Sequence, residues 1–330
     1  MGQKNFFQEV IVSNEKPLII FDDVNKMMGY LMGDAIHVTP DKVNFMIKMG
    51  KGLVYVCITE EKARQLALLP MTGSGSTDLN KDFTVSVDFK TTTTGISAYE
   101  RADTIKAFAE SMTESVDFRR PGHIFPLVGK PGGLIERQGI VEGVLELSKL
   151  ISGQPIGYMC EILNQNGEVA TLQEVEQLSD LHDLPIVFLS EIIRKKYEEH
   201  MWLHLVNHTE RMISNQPIHI YHFQNRLFSS EFTVFIRPDQ AGGSKQIYYE
   251  ACQWGDLLGL SNSCSCKNHF RDYFQTLVKG NCHCLVYHRL LTKMEVEPFK
   301  LTIIKQQMQK LIRDIMGKRY LEMTLTPNVI

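Results

Sequence analysis

Hydrophobic positions in the first 190 residues come in short runs separated by segments of helical spacing. Leu18 to Phe21, Leu53 to Ile58, Phe83 to Phe89, Ile156 to Leu163 and Ile186 to Leu189 are β-branched or aromatic runs of strand length. Between them lie helix starts. Thr39 before Pro40 supplies an N-cap and a first-turn proline for a helix that Gly50 can close, and Thr59 before Glu60 and Glu61 starts another. Ser97 and Glu100 have the spacing of a capping box ahead of Ala102, Ile105, Ala109 and Met112. Val141 to Ile151 forms a further helix, stopped by Gly153. Alternation of this kind predicts a mixed sheet layered with helices, and neither a repeat protein nor a bundle.

Ile192 to His208 reads as a charged connecting helix, which sets a boundary near residues 200–215 and predicts domains of 1–205 and 206–330. The second part opens with β-type runs (Ile218 to Phe223, Phe232 to Ile236) and a turn at Gly242 and Gly243. It closes with an amphipathic helix over Leu301 to Met316. There Ile304, Met308, Leu311, Ile312 and Ile315 form one stripe, expected to face the core, with Gly317 placed to cap the end.

With 330 residues the chain is too long for one core, and 43% hydrophobic with 22% charged residues is a globular composition. No apolar run reaches the roughly 18 residues that a bilayer span needs, and Met1 to Val10 carries no signal pattern, so a cytoplasmic protein with no membrane partner is expected. A net charge of −3 without a long basic stretch gives no electrostatic reason for nucleic-acid binding. Five of seven cysteines (Cys252, Cys264, Cys266, Cys282, Cys284) fall in one stretch, which in a chain without a secretory signal points to a metal or to reduced thiols.

The most specific stretch is Arg120-Pro121-Gly122-His123-Ile124-Phe125-Pro126-Leu127, followed by Gly132-Gly133 and Arg137-Gln138-Gly139. With Gly50-Lys51-Gly52-Leu53, Phe83-Thr84-Val85-Ser86-Val87-Asp88, Thr93-Thr94-Gly95-Ile96-Ser97-Ala98 and Cys160-Glu161-Ile162, it resembles the 3,4-dihydroxy-2-butanone 4-phosphate synthase family over residues 18–190. The resemblance implies an α+β three-layer sandwich, followed by a smaller α+β domain. It also implies a homodimer with the site completed at the interface, and a riboflavin-pathway reaction that converts ribulose 5-phosphate to a four-carbon ketone phosphate and formate. His123 and Glu161 match the family's catalytic positions. Taken alone they would be a turn histidine and a strand carboxylate. Arg137, with Gln138 and Gly139, precedes a helix N-terminus and is the expected phosphate contact; its plainer reading is a surface loop arginine.

Magnesium or manganese is the family's cofactor, yet its ligands are missing. The family's acidic loop after the first strand becomes Phe21-Asp22-Asp23-Val24-Asn25-Lys26-Met27-Met28-Gly29-Tyr30-Leu31, with no carboxylate from Val24 to Gly33. The family's metal-binding histidine corresponds to Ile140. Hard cations prefer oxygen donors, so methionine and isoleucine are no substitutes. In the last third, Cys252-Gln253-Trp254-Gly255-Asp256 with Cys264-Ser265-Cys266 resembles a degenerate, shortened GTP cyclohydrolase II domain. Cys252, Cys264 and Cys266 are thus candidate zinc ligands, or else three reduced thiols. GTP ring opening is not expected. Four functions stay open: a non-catalytic sugar-phosphate binder, an enzyme repurposed for a related substrate, a synthase with a rebuilt metal site using Asp22, Asp23 or Asp34, and a zinc-dependent interaction module.

Overall fold

The computed structural model describes residues 16–71, 82–228, 230–238, 245–251, 265–290, 297–316 and 322–325. It divides into two units, 1–196 and 197–330.

In the first unit the chain runs β1 (Leu18–Asp22), β2 (Met28–Asp34), α1 (Pro40–Gly50), β3 (Lys51–Thr59), α2 (Glu60–Gln65), β4 (Asp82–Phe83), β5 (Val87–Phe89) and α3 (Ala98–Ala109). It continues through β6 (Phe118–Gly129), α4 (Ile140–Ser152), β7 (Gly157–Ile162), α5 (Leu172–His182), β8 (Ile186–Phe188) and α6 (Leu189–Glu199). The sheet order is β4-β6-β3-β7-β2-β1-β8, with β5 added on β6. Side chains alternate between its faces. Phe21, Leu31, Val54, Val56, Tyr158 and Cys160 share a core with Val43 and Met46 of α1, Ile105 and Phe108 of α3, and Val175 of α5. On the opposite face α4 packs on the strands, and the absent Cβ of Gly143 lets it close on Ile20, Leu189 and Ile192. Helices therefore cover both faces, as the α+β three-layer expectation requires.

Local chemistry explains most starts. Thr39 and Thr59 accept from the backbone N–H of Lys42 and Lys62, and Ser97 from that of Glu100. Three details differ from expectation. Lys51, not Gly50, takes the left-handed conformation that ends α1 (φ 66°). Glu100 does not complete a capping box; its carboxylate turns back to accept from Thr93, Thr94 and Gly95, and these bonds, the Thr93 backbone N–H foremost, lower its pKa to about 2. The run from Phe83 to Phe89 is two short strands rather than one.

In the second unit β9 (Leu203–Ile213), β10 (Gln216–Asn225), β11 (Ser230–Ile236), β12 (Lys245–Glu250), α7 (Cys266–Val278), β13 (Cys284–Leu290), α8 (Pro298–Met316) and β14 (Glu322–Leu325) build a sheet ordered β14-β12-β13-β11-β10-β9. The expected connecting helix over Ile192 to His208 ends at Glu199; Leu203 onward pairs with β10 along a long hairpin, a partner that helical spacing cannot reveal. Ile304, Met308 and Ile312 of α8 are fully buried, so the stripe is core. His288 of β13 is fully buried too, stacked 4.1 Å from Phe232 with its Nδ1 2.8 Å from the Tyr248 hydroxyl. The Gly242–Gly243 turn and Gly317 lie outside the described residues.

Candidate functional site

The Arg120-Pro121-Gly122-His123 segment is a bulge in the middle of a strand. On β5, Asp88 pairs with Arg119 and its neighbour Val87 pairs with Ile124, so four residues of β6 stand out between adjacent partners. Several donors hold the bulge. Gly122 N–H donates to Ser86 Oγ, and Arg120 donates to the carbonyls of Ser115, Phe118 and Leu66. A Cβ at Gly122 would strike the Val87 and Asp88 backbone, which is why glycine sits at the closest approach. The Asp88 carboxylate receives both the His123 backbone N–H and the ring, with Oδ1 and Oδ2 each 2.8 Å from their partners.

Two residues beyond His123, Phe125 pairs with Tyr55 of β3. On the other side of β3, Glu161 of β7 accepts from the Leu53 N–H at 3.2 Å and pairs across β7 and β2 with Tyr30. His123 and Glu161 thus belong to the two strands, β6 and β7, that flank β3. Glu161 also takes a hydrogen bond from the Tyr55 hydroxyl; burial first, then that carboxylate, raise the Tyr55 pKa, and the same two causes raise that of Tyr30. Leu53, beside Glu161, is 53% exposed.

Arg137, Gln138 and Gly139 are brought beside the β1–β2 turn, where Asn25 Nδ2 donates to the Gln138 carbonyl at 2.8 Å. Gly139 is the N-cap of α4 and makes no side-chain cap bond. The guanidinium of Arg137 is held by protein groups. Its Nε donates to Glu142 Oε1, Nη1 to Asp82 Oδ2 and Nη2 to the Val128 carbonyl, and its side chain is 13% exposed. Two carboxylates have claimed the guanidinium as an internal counter-ion. Burial alone would lower the Arg137 pKa, but Glu142 and Asp82 outweigh it and raise it; likewise burial pushes Asp82 up while Lys130 and Arg137 bring it lower.

The β1–β2 turn uses its carboxylates locally. Asp22 Oδ1 accepts from the Val24 and Asn25 N–H groups, and Asp23 accepts from Ser190 N and Oγ at the first turn of α6. Asp34 accepts from His37 N and Nδ1.

The model of the 3,4-dihydroxy-2-butanone 4-phosphate synthase family matches residues 10–195, more than half of the chain. The chain belongs to that family. A 3,4-dihydroxy-2-butanone 4-phosphate synthase of Oceanobacillus iheyensis is 42% identical over 187 residues, which are 56% of this chain and 90% of that protein. The riboflavin biosynthesis protein RibBA of Bacillus mycoides is 35% identical over 256 residues; these cover 76% of this chain and 63% of RibBA, so the chain spans less than two thirds of that relative. Among solved structures, the synthase of Candida albicans is 33% identical with a TM-score of 0.53 and covers 57% of this chain and 96% of that one. RibBX of A. baumannii, a two-domain synthase, covers 98% of this chain and 94% of its own with a TM-score of 0.64; at 22% identity it shows the fold alone. The family places the chain with the synthases of riboflavin biosynthesis.

One solved synthase relative is described in complex with two magnesium ions. The donor set here does not fit such a centre. The oxygens of Asp22, Asp23 and Glu161 accept protein hydrogen bonds, and among the described residues no three His, Cys, Asp or Glu side chains come together as a metal site. Of the candidate zinc thiols, Cys252 and Cys264 lie outside the described residues, and Cys266 is buried at the start of α7. No helix among the described residues is long and apolar enough to cross a membrane. Sequence reasoning does not reach Asp88, Tyr55 or Asn25. Only Asp88 carries a signal, as the last residue of a matched segment.

Proposed function

We propose that the first unit binds a small phosphorylated ketose of the ribulose 5-phosphate class and moves protons along its carbon chain with His123 and Glu161. The carrying observation is the state of His123: Asp88 holds Nδ1, while Nε2 has no protein hydrogen bond among the described residues and the side chain is 40% exposed. An imidazole so held can take or give a proton at the free nitrogen. Glu161, on β7 across β3 from β6, is the second acid–base group of this reading. The anion subsite of this reading is the segment Arg137, Gln138 and Gly139 that leads into α4, whose N-cap Gly139 makes no side-chain cap bond. The reading runs without a hard metal at this site, and a second copy of the chain completes the wall next to exposed Leu53 as a homodimer.

The test is formate release from ribulose 5-phosphate, followed beside thermal stabilisation by the sugar phosphate, with and without EDTA. Stabilisation that survives EDTA is expected. No stabilisation by any pentose phosphate overturns the reading. A second reading, synthase turnover with magnesium held by a rearranged β1–β2 turn, is favoured by the 42% identity to the Oceanobacillus synthase. It requires formate release that EDTA abolishes. Zinc bound at Cys252, Cys264 and Cys266 is a separate proposal, tested by metal analysis of untagged protein purified without chelator.

A further inference from the structure

We infer that Asp88 is a positioning residue that fixes which nitrogen of His123 carries the proton. The inference deepens the proton-transfer reading of the site and rests on it for its functional meaning, though not for its structural content.

An ionised carboxylate only accepts hydrogen bonds. Asp88 Oδ1 lies 2.8 Å from the His123 backbone N and Oδ2 lies 2.8 Å from Nδ1, so both bonds need a proton on the histidine side. A neutral ring therefore carries its hydrogen on Nδ1 and leaves Nε2 as the bare lone pair. The clasp is built rather than incidental. The four-residue bulge brings His123 back to β5 at Asp88, and a Cβ at Gly122 would prevent that approach. Gly95, at φ +81°, lies where a Cβ would fall on the Asp88 carboxylate, so the Thr93–Gly95 turn closes over it and leaves Asp88 only 7% exposed. Carboxylate, backbone N–H and ring then form a rigid two-point clamp with its unused atom facing outward.

In the proton transfer, the substrate C–H bond next to the carbonyl breaks and the Nε2–H bond forms. The electron pair of that C–H bond passes to the carbonyl oxygen as an enolate, and the same nitrogen returns the proton later. Asp88 keeps its Oδ2 on the Nδ1–H of the imidazolium.

Asparagine at 88 makes a sharp test because it has one acceptor and one donor where aspartate has two acceptors. The backbone N–H cannot change its role, so the amide oxygen must face it. The amide NH2 then faces Nδ1 and forces the ring proton onto Nε2. The experiment is 15N NMR of the full chain labelled at histidine, at pH 8 without substrate, with the His123 signals identified by their loss in His123→Ala. The wild type is expected as the Nδ1–H tautomer and Asp88→Asn as the Nε2–H tautomer. Ser86→Ala, which removes the Gly122 N–H acceptor, is the structural control: it lowers thermal stability and leaves the tautomer unchanged. Where the protein turns over ribulose 5-phosphate, Asp88→Asn should lose about a hundredfold in kcat with KM within about twofold. An Nε2–H tautomer in the wild type, or an unchanged tautomer in a folded Asp88→Asn, overturns the assignment. Absence of turnover in the wild type would sink the catalytic reading of the site, and the tautomer would still be decided. Should Asp88→Asn not fold, the wild-type spectrum alone decides the assignment.

Discussion

The β6 bulge and the β1–β2 turn both carry polar groups of the first unit, and they treat them in opposite ways. At the bulge, Asp88 binds one ring nitrogen of His123 and leaves the other without a protein partner among the described residues. At the turn, Asp22 closes on its own backbone, Asp23 holds the start of α6, and Arg137 nearby is tied to Glu142 and Asp82. A side chain anchored at one atom and open at another is ready for a ligand, while one saturated by the protein is part of the scaffold. The comparison separates groups that the fold holds open from groups that it uses as scaffold.

The largest expected effect falls on the open side. His123→Ala should cut proton transfer on the sugar phosphate by about 10²–10⁴-fold without changing the melting temperature by more than a few degrees. An active variant would erase the distinction. On the saturated side the effect should be the reverse. Arg137→Ala leaves Glu142, whose side chain is fully buried, without its counter-ion, and should cost about 3–5 kcal/mol in denaturant unfolding. If it instead weakens sugar-phosphate binding at full stability, Arg137 belongs with the ligand.

His288 extends the contrast to the second unit, where a histidine is buried for packing. Burial first, then Lys305, lower its pKa to about 3 from an ordinary 6.5. The unfolded chain binds the proton more readily, so the contribution is complete above pH 6.5 and is lost as pH falls toward 3. Stability of the second unit should therefore decline across that window, and His288→Phe should flatten the decline. An unchanged slope in the variant would show that other groups set it. The smallest effect belongs to Asp23→Ala, which removes the acceptor at the start of α6 and should cost about 1 kcal/mol. A much larger loss would mean that the turn also supports the site.

Local signals in the sequence locate the helices well because caps are short-range: Thr39, Thr59 and Ser97 each bond three residues ahead. Strands depend on partners far along the chain. Met28–Asp34 is a central strand whose sequence reads only as an altered loop, since two glycines and two methionines give little β signal; its burial comes from β1 and β7 on either side. Phe118–Gly129 does not read as a strand because Pro121, Gly122 and Pro126 argue against one, and the bulge is what accommodates the first two. At the site, His123 and Glu161 are legible through their motifs, whereas the state of Arg137 depends on Asp82, 55 residues away. Pairings at that distance leave no spacing to read.

The bulge also bears on protein engineering. Val87 with Ile124 and Asp88 with Arg119 fasten the strand on both sides of four residues that stand clear of the ladder. Position 122 must stay glycine, Pro121 belongs to the bulge backbone and Arg120 braces the loop, which leaves position 123 as the one to vary. A library confined to that position would sample new site chemistries on an unchanged sheet.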